Sequence, residues 1–185
     1  MFEVAFVCTG NRFRSVLAAA AFRSATDGLP VHVGSYGTLE LGRAGPLPEA
    51  VREGRALGLD ISAHRARSLR TAQLGDADLV VGFELQHVVA ALDVAGAQIE
   101  KTFVLTELID LLADEYAADD IDPVARATEI VALAHARRRD PKRPRSIREI
   151  ADPIEMADND QRVIARTVYD GAQTIARELF PVRNG

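Results

Sequence analysis

The chain has 185 residues, a length typical of one compact domain, and its 48% hydrophobic and 26% charged residues exclude a disordered or fibrous protein. The only cysteine, Cys8, excludes a disulfide framework and a zinc site built from several thiolates. The formal net charge of -5 argues against a dedicated nucleic-acid binder. No apolar run approaches the ~20 residues that cross a bilayer, and no basic leader opens the chain. We therefore expect a cytoplasmic protein with no membrane association.

Strands and helices alternate along the predicted chain. Short apolar segments bounded by polar turns predict strands over 2–7, 31–35, 78–83 and 102–105. Helices are predicted over 15–24, 46–57, 84–92, 126–139 and 163–179, the last from apolar residues at i, i+4 spacing. This alternation predicts a three-layer α/β fold with a central parallel four-stranded sheet and helices on both faces. We expect a single domain over 1–185.

One charged stretch, at about 111–147, interrupts this pattern. Six acidic residues lie between positions 110 and 122, and six basic residues lie within positions 137–145. We interpret the stretch as a solvated insertion whose opposite charges partly neutralise each other. The alternative is a lid, or a docking surface for an anionic partner.

The most informative segment joins the first predicted strand to the first predicted helix and reads Val-Cys-Thr-Gly-Asn-Arg-Phe-Arg-Ser. Backbone N–H groups converge in such a turn, which favours a phosphate-sized anion at the helix N-terminus. Gly10 and Asn11 tolerate the left-handed backbone that the turn needs. Arg14 can hold two phosphate oxygens, and its charge favours a thiolate nucleophile at Cys8. The predicted phosphate-binding residues are Thr9, Gly10, Asn11, Arg12, Phe13, Arg14 and Ser15.

Taken alone, Cys8 could be a small buried hydrophobic residue at the end of a strand. Its setting favours chemistry, because glycine, asparagine, arginine and serine follow it at useful positions between a strand and a helix.

These residues resemble the signature of the low-molecular-weight protein tyrosine phosphatase family: Cys, any residue, Gly-Asn, two residues, then Arg-Ser. Segments 35–38, 58–61, 64–67 and 76–83 are also similar to that family. The resemblance covers roughly residues 1–110 and 148–180 and omits the charged stretch. It implies a cysteine-dependent phosphomonoester hydrolase, a protein-tyrosine-phosphatase, that forms a phosphocysteine intermediate without a metal or other cofactor.

The resemblance also implies an aspartic acid, in an Asp-Pro loop before the final helix, that protonates the leaving group. This chain has three Asp-Pro pairs, at Asp122, Asp140 and Asp152. Only Asp152 lies a short distance before the final helix, so we assign the catalytic acid there. For Asp122 and Asp140 we favour ordinary loop and turn roles.

A supporting hydrogen-bond network is implied at the positions of Asn11, Ser15, Ser35 and His64. The other three histidines match no functional position of the family, so we assign them no role. They are His32, His87 and His135.

Three positions depart from the family pattern. Phe13 replaces a second cysteine that many members carry, and Tyr36 replaces a small residue. Ile154 replaces a tyrosine that helps to hold the substrate ring, which weakens the case for phosphotyrosine as the natural substrate.

The predicted catalytic residues are therefore Cys8, Arg14 and Asp152, and the expected partner is a phosphorylated protein or a small phosphomonoester. Two alternatives remain: an arsenate reductase that uses an external small thiol, and a non-catalytic phosphate-binding module. Neither the natural substrate nor an oligomeric state follows from the sequence.

Overall fold

A computed structural model describes residues 1–112, 122–141 and 147–181. Four strands form one sheet: β1 (Phe2–Cys8), β2 (Val31–Gly37), β3 (Leu79–Gly82) and β4 (Thr102–Val104). Six helices surround it in the described part of the chain: α1 (Arg14–Ala25), α2 (Pro48–Ala56), α3 (Leu85–Ala95), α4 (Leu105–Leu112), α5 (Pro123–Arg138) and α6 (Asp158–Leu179). The predicted elements are present, with boundary shifts of a few residues.

The sheet is parallel, with strand order β2-β1-β3-β4. Val4 of β1 pairs with Val33 on one side and with Leu79 on the other. The chain leaves β1 toward β2 and later returns to the other side of β1, so a crevice opens at the carboxyl ends of β1 and β3. The predicted α/β fold is confirmed, and its topology places the turn after Cys8 at this crevice.

The two faces of the sheet are covered by different helices. Alternate β1 side chains (Phe2, Val4, Phe6 and Cys8) join a core with α1, α4, α5 and α6. The intervening residues Ala5 and Val7 face a smaller cluster with α3. This alternation follows from the two-residue period of a strand and explains why β1 is apolar on both faces. No helix in the described ranges is long and apolar enough to cross a membrane.

Residues 105–112 form a helix that the sequence analysis missed. Leu105 was predicted to end the fourth strand, but it begins α4. Because the apolar run Phe103-Val104-Leu105 crosses from strand to helix without a turn residue, hydrophobicity alone carries no boundary signal there.

Helix α5 corrects the interpretation of the charged stretch as solvated. Asp122 caps it, since its side chain accepts hydrogen bonds from the backbone N–H of Val124 (2.9 Å) and Ala125 (3.1 Å). Four of its residues at i, i+3, i+4 and i+7 spacing are buried: Ala127, Ile130, Val131 and Ala134. The solvated interpretation is therefore wrong for α5, which packs against α4 and α6.

The C-terminal end of α5 contacts the β4 segment through one side chain. Arg138 donates hydrogen bonds to the carbonyl oxygens of Ile99 (2.9 Å) and Thr102 (2.6 Å), and its guanidinium lies 3.9 Å from the Phe103 ring centroid. Most of the charges behind the lid or docking interpretation, including Asp114, Glu115, Asp119, Asp120, Lys142, Arg143 and Arg145, lie outside the described residues.

We expect Ile130→Ala to lower the free energy of unfolding by about 2–4 kcal/mol, because it removes buried methylene and methyl groups and leaves a cavity. Urea denaturation followed by circular dichroism measures this. Leu133→Ala, on the exposed face of the same helix, is the matched control and should cost under about 1 kcal/mol. Equal small losses for both variants would contradict the packing of α5.

Candidate active site

The turn between β1 and α1 lies over the end of β2. At Gly37, a Cβ atom would lie 3.0 Å from the backbone N of Asn11, the carbonyl carbon of Gly10 and the carbonyl oxygen of Thr9. Any side chain there would push the turn off the sheet, so the glycine is needed for this close approach.

Backbone hydrogen bonds orient the peptide groups of this turn. The carbonyl oxygens of Cys8, Thr9 and Arg12 accept hydrogen bonds of 2.9–3.0 Å from the N–H groups of Thr38, Leu39 and Leu47. In a trans peptide the N–H points opposite to the carbonyl of the preceding residue. The N–H groups of Thr9, Gly10 and Phe13, which follow these carbonyls, therefore point away from residues 38–47, the orientation that an anion-binding turn requires.

The Cys8 thiol is buried and lies within hydrogen-bond distance of two groups. The backbone N–H of Asn11 donates to Sγ over 3.2 Å, and the Ser15 hydroxyl lies 3.0 Å from Sγ. Since Ser15 Oγ already accepts from Asn11 Nδ2 at 2.9 Å, its own hydrogen is free to point at the sulfur. Both donors would stabilise a thiolate.

The predicted supporting residues are brought together around Asn11. This residue has φ 51°, in the left-handed region, and its Nδ2 also donates to Ser35 Oγ at 3.0 Å. The Nε2–H of His64 donates to the Asn11 carbonyl oxygen at 3.0 Å. Burial lowers the pKa of His64, although this hydrogen bond opposes the shift.

Arg67 completes the network and was missed in the sequence analysis. Its backbone N–H donates to Asn11 Oδ1 at 2.9 Å, which fixes the orientation of the amide. Its guanidinium lies 4.5 Å from the centroid of the Tyr36 ring and donates to the Ser35 carbonyl oxygen at 3.2 Å. Tyr36, one of the departures from the family pattern, thus supports the residue that orients Asn11.

Arg14 is the largest fully buried polar side chain at the site, with a relative exposure of 1%. One terminal nitrogen donates to the Glu84 carboxylate and to the Ile150 carbonyl oxygen (2.7 Å). The other donates to Thr9 Oγ1 (3.1 Å) and to Asp152 Oδ2 (2.6 Å). Four hydrogen bonds from a planar fork fix the guanidinium in one orientation.

Of the three Asp-Pro pairs, Asp152-Pro153 is the one placed at this arginine. Asp152 Oδ1 accepts from the Ile154 backbone N–H (3.2 Å) while Oδ2 accepts from Arg14. Asp122 instead caps α5. Asp140 follows the end of α5, and its backbone N–H donates to the Arg137 carbonyl oxygen.

The remaining turn residues take different positions. Phe13 is buried and precedes the first residue of α1. Arg12 donates from Nε to the Gly45 carbonyl oxygen at 2.7 Å. Ile154, beside the predicted acid, is 51% exposed. Within the described ranges no group of three or more histidine, cysteine, aspartate or glutamate residues is arranged to hold a metal ion.

Two residues at the start of α3, Glu84 and His87, also belong to the site and were not identified from the sequence. They form a reciprocal capping box: the Glu84 side chain accepts from the His87 backbone N–H, and His87 Nδ1 accepts from the Glu84 backbone N–H (3.1 Å). The available signal was their place directly after the strand next to β1, where parallel strands end at the same crevice.

The pKa values of both residues are displaced. Burial would raise the pKa of Glu84, but the hydrogen bond and the charge of Arg14 outweigh it and lower the value. Burial, reinforced by the charge of Arg14, lowers the pKa of His87 to about 4. His87 is therefore neutral at pH 7.

A buried thiol therefore lies in the same turn as an arginine that binds an aspartate, at the carboxyl end of a parallel sheet. The chain belongs to the family described as low molecular weight phosphotyrosine protein phosphatase, whose model matches residues 3–135.

Curated relatives carry two different activities in their names. The chain is 38% identical over 94 residues to a low molecular weight protein-tyrosine-phosphatase of Streptomyces coelicolor, covering 47% of this chain and 56% of that protein. It is 33% identical over 110 residues to a protein-arginine-phosphatase of Bacillus subtilis, covering 58% of this chain and 72% of that protein. The crystal structure of a YwlE mutant from Bacillus subtilis superposes with a TM-score of 0.71 at 22% identity, over 97% of this chain and 99% of that one. The last similarity concerns the fold.

Proposed function

We propose that the protein is a phosphomonoester hydrolase of the protein-tyrosine-phosphatase type, with Cys8 as nucleophile, Arg14 as phosphate ligand and Asp152 as general acid. The observation that carries this proposal is the hydrogen bond between Arg14 and Asp152. Asp152, 144 positions after Cys8, thereby contacts the arginine of the turn that also contains the thiol, and this supports its assignment as the acid in a member of this phosphatase family.

In the first step, the Cys8 thiolate forms a bond to phosphorus in line with the leaving oxygen. The bond between phosphorus and that oxygen breaks, its electron pair stays on oxygen, and Asp152 in its protonated form supplies the proton. Arg14 and the amides of the turn stabilise the charge on the equatorial oxygens. The substrate replaces Asp152 on Arg14, which frees the carboxyl group to face the leaving group.

In the second step, the Asp152 carboxylate takes a proton from water, whose oxygen attacks phosphorus. The bond between sulfur and phosphorus breaks, and its electron pair returns to Cys8 as the thiolate. Inorganic phosphate leaves, and neither step changes an oxidation state. Because the thiol must stay reduced, a cytoplasmic location is part of the proposal.

The substrate class is a phosphorylated protein side chain, and a small aryl phosphate serves as its probe. One exposed leucine beside the turn could contact an aryl group: Leu41 Cδ1 lies 3.5 Å from the position of a Cβ atom built on Gly10, and Leu41 is 41% exposed. The curated relatives named above act on phosphotyrosine or on phosphoarginine by their names, so the two must be compared directly.

The test is to trap the intermediate. Protein mixed with p-nitrophenyl phosphate is quenched with acid during turnover, and the peptide that contains Cys8 is analysed by mass spectrometry. We expect a phosphoryl group on that peptide, and its loss on prolonged incubation before the quench. Steady turnover with no label on the Cys8 peptide would overturn the proposal. Phosphotyrosine and phosphoarginine peptides, compared by kcat/KM, then decide the substrate.

Asp152→Ala should slow turnover by about 10²–10⁴-fold on phosphate esters with poor leaving groups, because the departing oxygen is no longer protonated. The loss should be smaller with p-nitrophenol, which leaves without a proton. Inorganic phosphate should inhibit the variant more strongly, since Arg14 loses a competing carboxylate. Steady-state kinetics with a series of aryl phosphates measures all three effects.

Asp122→Ala is the matched control for this prediction. It removes the cap of α5 and should cost about 1 kcal/mol of stability while leaving the rate on every substrate unchanged. If Asp122→Ala lowered the rate and Asp152→Ala did not, the assignment of the acid would be wrong.

A further inference from the structure

His87 has a buried side chain and takes no part in the reaction steps above, yet it contacts the turn that holds the thiol. Its Nδ1 accepts hydrogen bonds from two backbone N–H groups, those of Phe83 (3.3 Å) and Glu84 (3.1 Å). A nitrogen that accepts two N–H groups carries no proton of its own. The ring proton of neutral His87 is therefore on Nε2.

That proton determines the direction of the Thr9 hydroxyl. His87 Nε2 lies 3.1 Å from Thr9 Oγ1, so Nε2–H donates to this oxygen. Arg14 donates to the same oxygen, also at 3.1 Å. Both lone pairs of Oγ1 are then occupied, and the hydroxyl hydrogen must be donated elsewhere. In the described parts of the chain the Thr9 hydroxyl makes no side-chain hydrogen bond besides these two.

The backbone fixes His87 in this position. At Gly82, the last residue of β3, a Cβ atom would lie 2.9 Å from His87 Cβ, so the helix starts directly against the strand end. Glu84, which shares the capping box, binds the other terminal nitrogen of Arg14. The start of α3 thus holds the arginine on two sides, through Glu84 directly and through His87 and Thr9.

We propose that the Thr9 hydroxyl is an additional donor to a phosphoryl oxygen, and that His87 is the positioning residue that aims it. This rests on the proposed function, because the oxygen in question belongs to a phosphate bound at Arg14. Thr9 follows the nucleophile directly, and Arg14 Nη2 donates both to Thr9 Oγ1 and to the Asp152 carboxylate that the phosphate would replace. The free hydrogen of Thr9 would then lie beside the charge that develops in the transition state. Thr9 would then be a catalytic residue, whereas His87 acts only through it.

A double-mutant cycle tests whether Thr9 and His87 act through one interaction. Thr9→Val removes the hydroxyl at constant shape, and His87→Asn keeps an acceptor for the Glu84 amide but is too short to reach Thr9. Each should lower kcat on p-nitrophenyl phosphate by about 10- to 100-fold, and each should weaken inhibition by vanadate. The double variant should lose no more than about 3-fold beyond the worse single variant, because both remove one interaction. Thr9→Ser should recover most of the loss.

Control variants distinguish the loss of the contact between Thr9 and His87 from a general loss of structure. His32→Asn and Thr71→Val change an exposed histidine and an exposed threonine and should keep the parent kcat. Losses that multiply in the double variant, or a Thr9→Val variant with the parent kcat, would overturn the inference. Thermal unfolding identifies any variant that does not fold, and the Thr9 variants alone then decide.

Nitrogen-15 NMR of His87 in the unmutated protein gives an independent answer. We expect a neutral ring protonated on Nε2 from pH 6 to 8, and a shift of that Nε2–H signal when vanadate is added. A proton on Nδ1, a signal that titrates near the ordinary histidine value of about 6.5, or no response to vanadate would each overturn the inference. If instead no Cys8 label forms, the proposed function fails, while the NMR experiment still reports on His87 and Thr9.

Discussion

Cys8→Ser should reduce the hydrolysis of small aryl phosphates by about 10⁴–10⁶-fold, the scale seen when a covalent nucleophile is removed. A serine hydroxyl is far less acidic than a thiol, and the hydrogen bonds from Asn11 N–H and Ser15 stabilise an anion that the serine does not form. Initial rates, measured at enzyme concentrations a thousand times higher than for the parent, would give the residual activity.

The same variant should still bind phosphate, because the four hydrogen bonds that fix Arg14 do not involve the sulfur. Vanadate or phosphate binding by calorimetry should therefore stay within about 10-fold of the parent value. A Cys8→Ser protein that retains turnover would rule out the covalent route. One that loses both turnover and anion binding would point to a collapsed turn rather than a missing nucleophile.

Arg14→Lys should lower kcat/KM by about 10³–10⁵-fold, the range attributed to an arginine that stabilises a phosphoryl transition state. Lysine keeps the charge, but it cannot reach Glu84, Ile150, Thr9 and Asp152 with one planar group. The carboxylates of Glu84 and Asp152 would then share the flexible ammonium group of the lysine in a buried site. The same assay with p-nitrophenyl phosphate measures the loss, and vanadate binding should weaken in parallel.

Arg23→Lys, on the exposed part of the same helix, is the control and should keep the parent kcat/KM. Circular dichroism would show whether the Arg14→Lys protein remains folded. A folded Arg14→Lys protein with a near-parental rate would show that a positive charge alone is sufficient at this position. It would contradict the need for a planar guanidinium group.

Arg14 lies between two carboxylates in this structure, Glu84 and Asp152, and they are held in different ways. Glu84 is fixed by its capping box at the start of α3, whereas Asp152 belongs to a loop and is partly exposed. An arriving phosphate can therefore displace Asp152 and leave Glu84 in place. This difference fits the proposed function, in which Glu84 supports the arginine and Asp152 is available for proton transfer.

The local features of the site could be predicted from the sequence. Cys8, Gly10, Asn11, Arg14 and Ser15 are close in the chain, and a strand followed by a turn and a helix places them together whatever the rest of the fold does. The apolar β1 and the patterned α6 were predictable for the same reason, since periodicity is a property of neighbouring residues. Asp152 was chosen because the family resemblance implies an Asp-Pro loop before the final helix, and Asp152 is the Asp-Pro aspartate closest to α6.

The tertiary structure alone revealed three further distant residues at the site, which the sequence analysis had not assigned to it. Glu84, His87 and Arg67 come from other segments, and the residues around them have the pattern of helix caps and loops. The place of Glu84 and His87 directly after β3 points to the site only once the strand order puts β3 beside β1. The burial of α5 was hidden in the same way, because a stripe of alanine, isoleucine and valine amid charges becomes a core face only when α4 and α6 cover it. Sequence patterns report contacts between near neighbours, whereas the strand order β2-β1-β3-β4 determines which chain segments meet at the crevice.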